Sequence, residues 1–420
     1  MLQNREVYFL KPFKIAILGG GASGICAALS GACYFESSGA PYEIVVFEHT
    51  GKPLKKLLAT GNGRCNFSNK KLEISNFHGS KRLAEAVLNS DFSDIETYFK
   101  SLGVEPAYED GRIYPRSMQA SSVCDALLFE AGCHNIEIKC DFNAENINPK
   151  KANNGFLLCN EYFDSLIIAC GSKAAEKQGT DGSLFPLIES FSHSFTPLSP
   201  ALTAILSTDK SLKTLSGTRL FGAVSLYDGK KLLKKEVGEI QFTSDAVSGI
   251  PAFDISYLAK PQQTLFVDMY PEESAQKVVS FLKEQRFKYP KKTLECVLSG
   301  LIPQKASYAV TNRCFSSPEP TVGSLSDKAL ARVAAVLKAF DFKVGGTRDF
   351  PEAQTARGGV SSSEINDNLM SRKASGLFFC GEILDVNGDC GGYNLHFAFA
   401  SGRLAGKNAA QYSIEKGQKK

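Results

Sequence analysis

Residues 14–18, Lys-Ile-Ala-Ile-Leu, form a short apolar run that leads without a break into Gly19-Gly20-Gly21-Ala22-Ser23-Gly24. A run of that kind reads as a strand buried on both faces, which belongs in a parallel sheet covered by other layers. The G-x-G-x-x-G that follows asks for a tight turn at Gly19, close approach of the backbone to a pyrophosphate at Gly21, and tight helix–strand packing at Gly24. A helix starting near Ala22 then turns its amides and its positive dipole end toward phosphates, with Ser23 in its first turn. Glycine turns without a ligand are common, so context decides. Residues 42–47 are a second apolar run, and it ends in Glu48, 24 residues beyond Gly24. An acid at that strand tip accepts hydrogen bonds from adenosine ribose hydroxyls and disfavours a 2′-phosphate. This unit serves FAD and NAD alike.

Two further segments favour the flavin. Residues 51–69 are rich in Gly, Asn and Lys/Arg, a supply of donors suited to wrapping an anionic cofactor, although a solvated basic loop would read the same way. Residues 376–382 are an apolar strand ending in Gly381-Glu382, and Gly391-Gly392-Tyr393-Asn394-Leu395 opens an Ala-rich helical stretch. Nucleotide-facing elements at opposite ends of the chain suit an extended cofactor gripped by both.

The segments GGGASG, KKLLATGNGRCNFSN, GRIYPRSMQAS, DSLIIACGS, GEIQFTSDAVSGIPAFDIS and GLFFCGEILDVNGDCGGYNLHFAFASGRLAG resemble, in order and over nearly the whole chain, the bacterial BaiN-type NAD(P)/FAD-dependent oxidoreductases. The resemblance implies an α/β fold: a Rossmann-like FAD-binding domain of the two-dinucleotide-binding-domain flavoprotein type, with an inserted β-rich plus helical region. It places Gly19, Gly21, Ser23 and Gly24 on the pyrophosphate and Glu48 on the ribose. Lys56, Asn62, Gly63, Arg64, Cys65 and Asn66 fall beside the ribityl chain and flavin, and Ala144 at the adenine. Ala169, Cys170 and Gly171 form the strand end over the nucleotide, and Gly381 and Glu382 lie at ribityl or phosphate-proximal groups. Gly392, Asn394 and Leu395 bring helix amides to the isoalloxazine carbonyl, where negative charge gathers on reduction. The chain departs from the family pattern at His396, where Gln is usual, at residues 389–392, where Thr-Gly-Gly closes the loop, and at Ala356, where Thr is usual.

Composition narrows the remaining choices. A chain of 420 residues, 43% apolar, is long enough for about two to three domains. From residue 191 the reading changes to short strand-like pieces (201–206, 219–227, 239–242), then to helical spacing at 272–287 and 291–301. The expected organisation is therefore a FAD-binding domain at 1–190 and 346–420, interrupted by an inserted domain at 191–345 that is β-rich over 191–270 and helical over 271–331. A net charge of +4 gives no support for nucleic acid. Residues 15–35 carry no charge, but three consecutive glycines and many Ala and Ser residues argue against a membrane span or export signal. Twelve cysteines without a CxxC pair read as reduced, mostly buried thiols of a cytoplasmic protein, and five histidines without metal-ligand spacing give no metal site.

The expected activity is NAD(P)H-linked reduction of a small organic substrate, such as an enone or activated double bond, by an FAD-dependent oxidoreductase. The alternatives are a flavin oxidase acting on an amine-type substrate, or a flavin-binding regulatory or RNA-modification-associated protein. The sequence does not choose NADH over NADPH and does not fix an oligomeric state. His396 is the catalytic candidate, as proton donor to a substrate carbanion, against a purely structural histidine. Cys65 could serve as a redox thiol, but it has no resolving cysteine nearby. Residues 111–116 could line a substrate cleft or form an exposed basic turn.

Overall fold

In the computed structural model, residues 11–142, 150–152, 155–316 and 319–418 are described; Ala144 lies outside them. Every residue of the strand Phe13–Leu18 is buried except Lys14, which is half-buried and reaches Glu161 Oε1 at 2.7 Å. Five parallel strands lie in the order Leu377–Phe379, Ser165–Ile168, Phe13–Leu18, Tyr42–Phe47, Glu137–Lys139. Ile15 and Ile44 face the glycine helix Ala22–Ser37, their Cδ1 atoms 3.7 and 3.4 Å from where a Cβ on Gly31 would stand. Lys14, one residue along, points the other way, to the antiparallel meander Lys150–Ala152, Gly155–Leu158, Glu161–Phe163. The sheet is thus covered on both faces, as its apolar strands require. The Phe163 ring of the meander stands edge-on to Phe47 at 6.2 Å.

The long helix Tyr393–Gly417 lies against the glycine helix, backbone on backbone. A Cβ on Gly402 would sit 2.2 Å from the Ser23 carbonyl oxygen, and one on Gly406 would sit 1.9 Å from that of Ala27. Only glycine permits that approach. At the far end of the glycine helix, Phe35 stacks between Phe13 and Tyr42 at 5.9 and 5.4 Å. Truncating a buried ring of this kind costs about 3–5 kcal/mol.

The chain divides into two units: Met1–Ser199 with Thr355–Lys420, and Pro200–Gln354. The second unit has a seven-stranded antiparallel sheet in the order Phe340–Lys343, Thr264–Asp268, Arg219–Asp228, Lys231–Phe242, Ala246–Gly249, Ile205–Leu206, Gly346–Thr347. The two strands that follow the helices in sequence close both edges. Leu226 and Val267 of the sheet share one core with Leu282, Val310 and Leu330 of the helices, so the β and α stretches form one layered body. Lys231–Phe242 is a full-length strand where the sequence marks only its last third, because its largely exposed, lysine-rich start lacks the apolar alternation that reads as strand. The helix expected over 272–287 is Ala275–Lys288, begun by Ser274, whose side chain accepts from Lys277 N. That expected over 291–301 shrinks to Leu294–Leu298, started by the Thr293 cap.

Candidate cofactor site

Parallel strands joined through helices leave a crevice at their carboxyl ends where the strand order reverses. Here that point lies between Phe13–Leu18 and Ser165–Ile168, and it is where Gly19 meets Ala169. Ala169 N donates to Leu18 O at 2.8 Å, and Gly19, at φ +112°, would drive a Cβ to 2.4 Å from the Ala169 oxygen. Gly24 is equally confined, 1.9 Å from the Gly19 oxygen by the same measure. Gly21 differs. Its φ of −77° suits any residue, and a Cβ there would meet no atom within 4 Å. The folded protein makes no demand for glycine at 21, and the space in front of it is open and could take a phosphate group. No side chain caps the helix that starts here, which leaves its dipole uncompensated.

Glu48 is buried at the tip of its strand. Oε2 accepts from Gly20 N at 2.7 Å, and Oε1 accepts from Thr50 N at 2.8 Å and Thr50 Oγ1 at 2.7 Å. A carboxylate has about four acceptor sites, so Oε2 retains room for one further donor such as a hydroxyl. The residues 51–69 are stitched to the glycine turn by Leu54 N, which donates to Gly20 O at 2.9 Å. Leu54, Asn62 and Cys65 all adopt positive φ, as do Gly61 and Gly63. Non-glycine residues held in that region within so short a stretch store strain, which concentrates at functional loops.

Of the six loop candidates, the structure brings Lys56 and Asn66 to elements from the other end of the chain. Lys56 Nζ donates to Glu382 Oε2 at 2.7 Å. Asn66 Oδ1 is buried without a partner among the described residues, and a Cβ on Gly392 would lie 2.7 Å from it. Arg64 turns elsewhere, over the Tyr114 ring at 4.7 Å and to Glu109 at 3.1 Å. Asn62 and Gly63 are exposed. Cys65 is fully buried, and burial pushes its thiol up to about 12, so it is no thiolate at neutral pH. Residues 112–115, Arg-Ile-Tyr-Pro, are a strand paired with Ser68–Asn69 and Pro106–Glu109.

The helix Tyr393–Gly417 starts from Gly392 at φ +96° with no side-chain cap. Asn69 Nδ2 donates to the Gly391 carbonyl at 2.9 Å, and the Asn394 side chain brackets Gly388, accepting from its N at 2.8 Å and donating to its O at 2.9 Å. Asn394 thus shapes the turn with its amide side chain, leaving the backbone amides of the first turn available to an acceptor, with Leu395 beside it half-buried. His396 is buried. Its Nδ1 lies 2.9 Å from Ser68 Oγ, and Nε2 has no partner among the described residues. Burial lowers its pKa to about 4 against a smaller opposing influence from Asp94, so the ring is neutral at pH 7.

Gly381, at φ +76°, brings its backbone against Ser23, and Gly171, at φ +72°, faces Thr180. Glu382 gathers Ser172, Thr355 and the Ala356 amide as well as Lys56. Sequence reasoning missed Ser68, Ser172 and Thr355, since lone hydroxyl residues carry no motif. It also missed His78, whose Nε2 lies 2.8 Å from Asp389 Oδ1. Among the described residues no group of His, Cys, Asp and Glu could hold a metal, and no helix is long and apolar enough to cross a membrane. Five of the twelve cysteines are buried, three are half-buried and four are exposed, so the expectation of mostly buried thiols holds only in part.

The profile of the family described as HI0933-like protein Rossmann domain matches residues 13–408. The 3-dehydro-bile acid delta(4,6)-reductase of Clostridium scindens is 34% identical over 411 residues, covering 95% of this chain and 99% of its own. The ribosomal RNA dihydrouridine synthase of Escherichia coli is 24% identical and covers 93% of this chain and 96% of its own. Among solved structures, a chain of a quinol-fumarate reductase superposes with a TM-score of 0.50 at 13% identity, over 97% of this chain and 72% of that one, which shows a shared fold.

Proposed function

The chain belongs to the HI0933-like Rossmann-domain family and is an FAD-dependent oxidoreductase; on that premise we propose that it reduces a carbon–carbon double bond conjugated to a carbonyl in a small apolar substrate, with NADH or NADPH as the electron source. The observation that carries this reading is the end-to-end match to a reductase of 3-dehydro-bile acids, with neither chain leaving a domain's length unmatched. A 3-oxo group conjugated with a double bond withdraws electrons, so the distal carbon accepts a hydride and the carbon next to the carbonyl accepts a proton. Bound FAD, once reduced by the nicotinamide, would supply the hydride. The residues of this chain hold and orient it: Gly21 and the helix start at Ala22 for the pyrophosphate, Glu48 for the ribose, Asn66 and the first amides of Tyr393–Gly417 for the ring. His396, buried and neutral, braces Ser68 in this reading, and the proton reaches substrate by another route.

The test uses holoprotein reduced anaerobically and mixed with a steroid 3-oxo-4,6-diene. Return of the oxidised-flavin absorbance together with loss of the dienone band supports the reading; a flavin that stays reduced sinks it. Mixing the oxidised holoprotein with NADH and with NADPH identifies the donor.

A second reading comes from the RNA-modifying relatives, which span nearly this whole chain at 24–25% identity. The uracil 5,6-double bond is also conjugated to a carbonyl, so the same half-reaction would convert uridine to dihydrouridine. The weak net charge of +4 gives a ribosomal RNA little electrostatic purchase. Reoxidation by ribosomal RNA and not by the dienone would move the assignment to this reading.

A further inference from the structure

Glu382 follows the edge strand Leu377–Phe379, and its carboxylate joins segments far apart in sequence. Oε1 accepts from Ser172 Oγ at 2.8 Å, Thr355 Oγ1 at 2.9 Å and Ala356 N at 3.0 Å, while Oε2 accepts from Lys56 Nζ at 2.7 Å. Ser172, Thr355 and Ala356 are all buried. Lys56 also donates to the Ala174 carbonyl at 3.2 Å, so its ammonium is held from two sides. Burial pushes the Glu382 carboxyl up, but the Lys56 ammonium, then the hydroxyls of Ser172 and Thr355, overcome it and hold the group below the usual carboxylate value. The Cys170 thiol beside it, raised to about 12 by burial, stays neutral and contributes no charge.

We propose that Lys56 is a positioning residue: its ammonium keeps Glu382 ionised, and the ionised carboxylate fastens three walls of the cofactor cradle to one another. The walls are the turn after Ser165–Ile168, the start of the strand Thr355–Val360, and the short helix Lys55–Ala59 that leads into residues 60–69. The proposal rests on the reading of this crevice as the FAD site. Its physical basis is the asymmetry of a buried carboxyl group. Ionised, it is an acceptor on both oxygens and satisfies four donors; protonated, it must place a proton among those donors, and at least one hydrogen bond is lost. A buried carboxylate that loses its cation takes up a proton instead of staying charged. Lys56 thereby makes the cradle indifferent to pH across the physiological range, a property that no direct contact to the cofactor would confer.

The experiment measures FAD affinity of apoprotein from about pH 5 to about pH 9, spanning the range a raised carboxyl pKa reaches. Wild type should show a flat profile set by Glu382. Lys56→Met should bind FAD more weakly as pH falls, approaching roughly tenfold per unit below the raised Glu382 pKa. Lys56→Arg, which keeps the cation, should stay flat, and Lys56→Met with Glu382→Gln should be weak but flat. A flat profile in Lys56→Met, or a slope that survives Glu382→Gln, overturns the proposal. Thermal midpoints of the apoproteins over the same pH range read the pair without cofactor, and Lys56→Gln replaces the Met variant if that one does not fold. A wild type that binds no FAD at any pH would defeat the cofactor reading alone, because the apoprotein midpoints would still decide whether Lys56 holds Glu382 ionised.

Discussion

Acid should weaken this fold in part through the buried His396, by an amount the structure sets. His396 is 1% exposed, touches Ser68 through Nδ1, and offers a proton on Nε2 no acceptor among the described residues. Its pKa falls from 6.5 to about 4 on folding, chiefly through burial. The folded protein therefore favours the neutral ring, and the unfolded chain takes up the proton first as pH drops. Stability is complete above pH 6.5, declines as pH falls toward about 4, and levels off below. A shift of this size is worth about 3 kcal/mol at most. His396→Gln keeps a polar side chain able to reach Ser68 but has nothing to titrate. Urea unfolding of both apoproteins at a series of pH values isolates the effect, because His193, which burial also shifts downward, is common to both. The wild type should lose its advantage over the variant between pH 6.5 and the acid limit, or fall behind it there. A stability difference that is the same at every pH would refute the account of a buried, unprotonated ring.

Three further outcomes follow from geometry. Gly21→Val should fold with an unchanged circular dichroism spectrum yet lose bound flavin, since its side chain enters space that no protein atom occupies; full flavin occupancy would assign the glycine to something other than a cofactor. Gly406→Ala should lower the thermal midpoint, by about 1–3 kcal/mol of stability, because the new methyl meets the Ala27 carbonyl; an unchanged melt would mean the two helices can part without cost. Cys65 should resist alkylation in the native protein at neutral pH while the exposed Cys33 and Cys296 react, as mass spectrometry of the labelled chain would show; rapid labelling of Cys65 would contradict its burial.

Residues 13–48 were legible because every requirement there is local: strand, turn, helix and acid follow one another within a single supersecondary unit. The same is true of Gly391-Gly392 at the head of the last helix. What could not be read were partnerships across the chain. Nothing in the sequence around Glu382 announces Ser172, 210 positions earlier, as its donor, and Leu54 carries no mark of a left-handed backbone that leucine does not favour. The resemblance placed Lys56 and Glu382 in one neighbourhood without saying that they face each other. In the second unit, Lys231–Phe242 hid behind its lysines, since a largely exposed strand can be polar at most positions and still pair along its length, here with one bulge at Leu233. The expected break points at 190 and 345 stand beside divisions after Ser199 and Gln354, where the chain crosses from one core to the other.

The seating of Gly402 and Gly406 on Ser23 and Ala27 has a consequence for how the protein is made. During translation the glycine helix emerges early, and its partner helix emerges only after all of Pro200–Gln354 has been synthesised. For that interval the nascent chain carries an uncapped glycine helix and an open edge at Ser165–Ile168, awaiting Leu377–Phe379. Unpaired strand edges and uncovered apolar helices are where growing polypeptides stick to one another or to chaperones. The yield of folded protein in a cell should therefore depend on translation rate and on temperature, which set how long those surfaces stay uncovered.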